Sequence, residues 1–124
     1  MFINVLVYER IPGKVSAFGR PVYVLKRPFC WSNGKYNVIC NTGFETDFAS
    51  IPKFVFFLSS KNGKWKKASV IHDKACILAS TGKWKYITAD NIYYEALLDD
   101  NASKFTAWLF YLAVRLNHLI VGKG

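Results

Sequence analysis

Two short segments hold the residues whose types and spacing suit chemistry. One is Gly43-Phe44-Glu45-Thr46-Asp47-Phe48-Ala49-Ser50-Ile51-Pro52, and the other is Ile71-His72-Asp73. The chain has 8 acids and 2 histidines, yet Asp47 and His72 both adjoin apolar, core-like sequence. A charged group in such a setting is normally paired, hydrogen-bonded or bound to an ion. Three chemistries fit. In the first, a carboxylate from Asp47 or Asp90 bonds the His72 imidazole, fixes its tautomer and clasps one half of the fold to the other. In the second, Asp47, His72 and Asp90 hold Zn²⁺, Mn²⁺ or Mg²⁺ with open positions for water, which supports hydrolysis. Zinc usually takes more nitrogen or sulfur, which only His118 and Cys76 remain to supply, and no H-E-x-x-H run exists. The third is a Ser50–His72–Asp triad, but Ser50 lacks a G-x-S-x-G elbow and reads as a helix cap. No catalytic residue is fixed by this pattern, and whether the protein is an enzyme stays open.

The elements that position these groups limit the choice. Neighbours on a helix diverge by about 100°, so His72 and Asp73 do not aim at one spot. Ile71 and Ala75 mark a buried stripe that His72 flanks, which leaves Asp73 for a structural pair. Asp47 and Ser50 also suit a tight turn through bonds to nearby backbone N–H groups. Arg115 interrupts an apolar helix and calls for a carboxylate, Asp73 or Asp90. His118, near that helix's end, reads as a partner of the helix dipole without chemistry of its own.

The first third of the chain reads as strands: Val5–Tyr8, Val22–Leu25 and Tyr36–Ile39, with a turn at Ile11-Pro12-Gly13-Lys14 and a hairpin tip around Asn33-Gly34. A two-residue turn there sets Cys30 opposite Asn37 and Cys40 opposite Arg27, so the thiols do not face each other. Ser50 caps a short helix or turn that carries Pro52 and the run Phe54, Phe56, Phe57, Leu58. Helices follow from about Trp65 to Ala79, ended by Thr81-Gly82, from Ala89 to Leu98, capped by Thr88, and from Asn101 or Ser103 to Leu119. The last is apolar nearly all round and needs cover on most sides. The expected fold is α+β, a small N-terminal antiparallel hairpin sheet packed on a C-terminal bundle of three to four helices. The 124 residues form one domain, with residues 1–43 mainly strands and 50–120 mainly helices.

Net charge is +9, with a dense basic patch at Lys61, Lys64, Lys66 and Lys67. Arginines are few and no reading motif is present, which argues against nucleic acid as the partner. The three cysteines, Cys30, Cys40 and Cys76, lack C-x-x-C spacing and read as reduced thiols. The start of the chain lacks the features of a signal peptide, and Arg115, Asn117 and His118 break the one segment apolar enough to suggest a membrane span.

The ordered set Gly43-Phe44-x-Thr46-Asp47-x-Ala49-Ser50-Ile51-Pro52, Ala68-x-x-Ile71-His72-Asp73, Ala89-Asp90, Glu95-Ala96-Leu97 and Tyr111-x-x-Val114-Arg115 resembles a small phage and prophage family, domain of unknown function 1353. The likeness runs from about residue 36 to 116 and departs after the His-Asp pair, where the family places aromatics and this chain has Lys74-Ala75-Cys76. It implies that Asp47, Ser50, His72, Asp73, Asp90 and Arg115 occupy signature positions. It also implies a tailed-bacteriophage gene product, made in the host cytoplasm and carried in the virion. The leading expectation is a structural component of the tail, baseplate or neck that works by docking to other phage structural proteins or to a second copy of itself. It needs no cofactor. The alternative is a small metal-dependent hydrolase of peptidoglycan or another host polymer, using Asp47, His72 and Asp90.

Overall fold

The computed structural model describes residues 1–48 and 65–124. Among these residues, two small antiparallel sheets occupy the N-terminal part and three helices the C-terminal part, an α+β fold. Strand β1 (Tyr8–Val15) pairs with β2 (Pro21–Leu25), and β5 (Glu45–Thr46) pairs along the other side of β2. Strands β3 (Phe29–Ser32) and β4 (Asn37–Cys40) form a separate hairpin. The helices are α1 (Lys66–Ser80), α2 (Tyr86–Asp99) and α3 (Lys104–Ile120).

Two strand expectations are corrected. Ile11-Pro12-Gly13-Lys14 does not reverse the chain but lies inside β1, where the register shifts between Arg10 and Val15. Pro12 has no N–H to give and Gly13 takes φ 74°, a combination that an edge strand accommodates as an irregularity. The β1–β2 ladder begins at Tyr8, so Val5–Val7 precede the strand. The Asn33-Gly34 hairpin is also longer than expected. The Asn33 side chain accepts bonds from the N–H groups of Lys35 (2.9 Å) and Tyr36 (2.7 Å), which closes a four-residue loop. Cys30 therefore faces Ile39, and Cys40 faces Phe29. A slip of two residues leaves each side chain on its expected face. Phe29, Trp31, Val38 and Cys40 all point inward, and Cys30 and Cys40 are unbridged thiols on opposite faces.

The helices carry the rest of the core. Ala68, Ile71 and Ala75 on α1 meet Ala89, Ile92, Tyr93, Ala96 and Leu97 on α2. The small alanines permit close approach of the two helices, and this core also takes in Phe29, Trp31 and Phe48 from the strand half. Helix α2 starts a turn earlier than expected: Lys85, not Thr88, is its cap residue, and Thr88 lies within the first turn. Ser103 caps α3 by accepting the Thr106 N–H at 3.1 Å. Only five α3 residues are buried, namely Ala107, Phe110, Val114, Arg115 and His118. Its opposite face leaves Phe105, Trp108, Leu109, Leu112, Leu116, Leu119 and Ile120 exposed. No described helix is long and apolar enough to cross a membrane.

Lys66 is not part of a surface patch. It is buried, donates to the Tyr8 hydroxyl at 3.2 Å, and lies 5.1 Å above the Phe48 ring and 5.2 Å above the Tyr8 ring. Lys67 reaches the Phe2 ring. The expectations for Ser50, Phe54–Leu58, Lys61 and Lys64 lie outside the described residues.

Candidate functional site

Three helices place their polar residues around one carboxylate. Asp90, in the second turn of α2, is fully buried. Its Oδ1 lies 2.7 Å from His72 Nε2, and its Oδ2 lies 2.8 Å from His118 Nδ1 and 3.1 Å from Arg115 Nη1. The Arg115 contact is an ion pair rather than an aligned hydrogen bond, since Nη1 lacks a hydrogen-bond partner among the described residues. His72 comes from the inner face of α1, and Arg115 and His118 stand one turn apart on the inner face of α3. A single carboxylate thus joins all three helices. The Tyr93 ring stacks on His72 at 4.5 Å, and the Tyr86 ring tilts against His118 at 5.0 Å.

Cys76 completes the cluster. It follows His72 by four residues and so shares its face of α1. Its Sγ lies 3.3 Å from His72 Nε2 and 3.9 Å from His118 Nε2. Burial pulls the His72 pKa down, but the Cys76 thiol and the Asp90 carboxylate outweigh it and raise it to about 10. His72 is therefore an imidazolium at neutral pH, with its Nε2–H shared between Asp90 and Cys76.

Asp73 points the other way, as adjacent helical residues must. Its carboxylate accepts the Thr46 hydroxyl, and Thr46 Oγ in turn accepts the Phe48 N–H at 3.2 Å. Phe48 has φ 55°, and Arg20 Nη1 donates to its carbonyl at 3.1 Å. The bond from the Thr46–Asp47 segment to the following helix thus runs from Thr46 to Asp73. The carboxylate on His72 belongs to Asp90, while Asp47 lies with Thr46, Asp73 and Cys76 along a surface groove of about 350 Å³.

Of the residues singled out in the sequence, the fold brings His72, Asp90 and Arg115 together and sets Asp47 and Asp73 on the groove. Ser50 is outside the described residues. Sequence reasoning named Cys76 and His118 only as spare zinc donors, and otherwise read Cys76 as a reduced thiol and His118 as a dipole partner. The four-residue step from His72 to Cys76 was a usable signal for the first. The 28-residue separation of Asp90 and His118 gave none for the second.

The cluster can act as a clasp, and its donors also resemble a cation site. His72, Cys76 and Asp90 present ligand atoms within 4.8 Å of one another, a group that does not include Asp47. Asp90 already faces the fixed guanidinium of Arg115, however, and a divalent ion there would work against that charge. A chain of polar atoms suited to nucleophilic chemistry is equally present, running from Cys76 Sγ through both nitrogens of His118 to Asp90.

A family model described as a protein of unknown function (DUF1353) matches residues 23–114. No curated protein and no solved structure matches the chain.

Proposed function

The chain belongs to the DUF1353 family of proteins of unknown function, and on that footing we propose that it is a structural component of a tailed-bacteriophage particle that docks through the outer face of α3. The phage setting comes from the resemblance of the sequence signature. The docking role rests on one observation, the exposed apolar row along α3. Phe105 is 74% and Ile120 81% exposed, and Trp108, Leu112 and Leu116 continue the row between them. Contiguous apolar surface of this kind on a folded protein marks an interaction site. The Asp90 cluster lies directly behind it and holds α3 rigidly against α1 and α2, so the face is presented preformed.

The partner is another phage protein with an apolar surface rimmed by carboxylates. Residues 101–124 contain no acid, and Lys104 and Lys123 stand at the two ends of the exposed row. Two copies packed antiparallel through this face would set lysine against lysine, whereas an acidic rim complements it. The test is the double substitution Leu112→Glu with Leu116→Glu, introduced into a phage that encodes the protein. Leu116 is 58% and Leu112 37% exposed, and a melting curve of the isolated variant checks that it remains folded. The expected result is wild-type protein present in purified particles by mass spectrometry and variant protein missing from them. Equal incorporation of the variant would refute the reading. So would a homodimer of the isolated wild-type protein that the same substitution dissolves.

A further inference from the structure

We propose that Cys76 is the nucleophile of an acyl-transfer site, with His118 as its general base and Asp90 as the group that orients His118. The inference stands apart from the docking role. It rests on the order in which the atoms are connected. The carboxylate Oδ2 of Asp90 meets His118 Nδ1 at 2.8 Å, which fixes the tautomer with the proton on Nδ1. The other ring nitrogen, Nε2, is then a base, and it faces Cys76 Sγ at 3.9 Å. Such contacts are commonly long in a free enzyme and tighten on substrate. The carboxylate–imidazole–thiol order is the one nucleophilic catalysis requires, and it is recognised by geometry rather than by position in the chain. His72 adds a second imidazole 3.3 Å from the sulfur, placed to stabilise negative charge there. Arg115 Nη1 lies 3.1 Å from the same carboxylate oxygen and sets a fixed positive charge beside it.

Accessibility supports the assignment. Asp90, His72 and His118 are buried, but Cys76 is partly exposed and lines the groove. The acid and both imidazoles are therefore closed to water, and Cys76 is the member of the cluster that borders it. The same groove indicates the substrate. Asp47 and Asp73 line it beside Glu45, whose carboxylate is ion-paired with Lys14 at 2.5 Å, and Phe18, Val22 and Phe44 supply apolar walls. That combination suits an amide or ester whose acyl part has an aliphatic stem and an ammonium group, as in a peptide with a basic side chain. In the reaction, Sγ adds to the carbonyl carbon as His118 Nε2 takes the thiol proton. The bond to the leaving amine or alkoxide then breaks, and that proton goes to the leaving group. Water attacks the resulting thioester and gives a proton to His118 Nε2. The carboxylic acid departs, and the proton returns to the sulfur.

The experiment compares thiols within one folded molecule. Wild-type protein is treated at neutral pH, with chelator present, with the 4-nitrophenyl ester of Nα-benzyloxycarbonyl-lysine, and in parallel with the norleucine ester, which lacks the ammonium. Peptide mass mapping follows acylation at Cys76 and at Cys30, the other partly exposed thiol. A positioned general base contributes roughly 10²-fold or more. Cys76 is therefore expected to acylate about a hundredfold faster than Cys30, faster with the lysine ester, and to turn over with continued nitrophenolate release. His118→Asn should bring Cys76 down to the Cys30 rate. If Cys76 in the wild type reacts no faster than Cys30, the proposal is overturned, and this comparison needs no variant to fold. A Cys76 rate that survives His118→Asn in a protein of native circular dichroism overturns it as well. Equal rates with the two esters remove the assigned substrate class.

Discussion

Replacing Asp90 by Asn tests the central cluster most directly. The substitution keeps the shape of the side chain but removes the charge opposite His72, His118 and Arg115. His72 can respond by releasing its proton. Arg115 cannot, and it is left charged and nearly buried. At an effective dielectric constant near 20, unit charges 3.1 Å apart interact by roughly 5 kcal/mol. Breaking a buried pair by removing one partner typically costs about 3–5 kcal/mol. The two figures agree, so Asp90→Asn is expected to lower unfolding free energy by about 3–5 kcal/mol in urea titrations at pH 7. The pH profile adds a signature that a generic core defect would lack. The pKa of His72 is raised from the ordinary 6.5 to about 10 in the folded state, so its stabilising contribution is complete below about 6.5 and is lost as pH rises toward 10. Asp90→Asn should flatten that decline. A stability loss below about 1 kcal/mol, the size of an ordinary hydrogen bond, would refute the clasp. So would an unchanged pH profile in a variant that is strongly destabilised.

Other outcomes follow from single groups. Burial raises the Asp100 pKa from 3.8 to about 6 against the opposing effects of Lys67 and the Ala68 N–H. Its folded-state pKa is raised, so the ionised form is the costly one, and Asp100→Asn should raise the melting temperature at pH 8 with the gain gone by pH 4. Burial likewise pushes the Cys40 thiol up to about 12, and Cys40 should resist iodoacetamide in native protein while Cys30 reacts, as read by peptide mapping. Ser103→Ala removes the side-chain cap of α3 and should cost about 1 kcal/mol in urea unfolding. Phe48→Ala should cost about 3–5 kcal/mol, because the ring is fully buried against Tyr8 and Tyr23.

What could be read from the sequence was what local periodicity dictates. The stripe of Ala68, Ile71 and Ala75 set the face of α1, and the divergence of adjacent helical residues correctly separated His72 from Asp73. The excess of apolar residues on α3 was visible for the same reason, as a count that one buried stripe cannot absorb. The errors arose where two chemically equivalent solutions compete. Pro12-Gly13 is a turn by composition and an irregularity by context, since only the pairing of β1 with β2 decides between them. Asn33-Gly34 suits a two-residue loop, but the Asn33 side chain bonds two later N–H groups and stabilises a longer one. Lys66 joined a run of lysines in sequence, whereas the rings that cover it come from Tyr8 at the start of β1 and from Phe48 just past β5. His118 needed the approach of α3 to α2, which no local pattern encodes.

The hairpin formed by β3 and β4 is fastened at its tip to the far end of α2. Trp31 Nε1 donates to Asp99 at 2.8 Å across 68 residues, and Asn33 donates to Glu95 across 62. Contacts of such long span close late and slow the search for the native state, while the short links between successive helices close early. During synthesis the hairpin would emerge long before its anchor. Its inward Phe29, Trp31 and Val38 would then wait uncovered until α2 had cleared the ribosome, and that interval is when the nascent chain most needs a chaperone's protection.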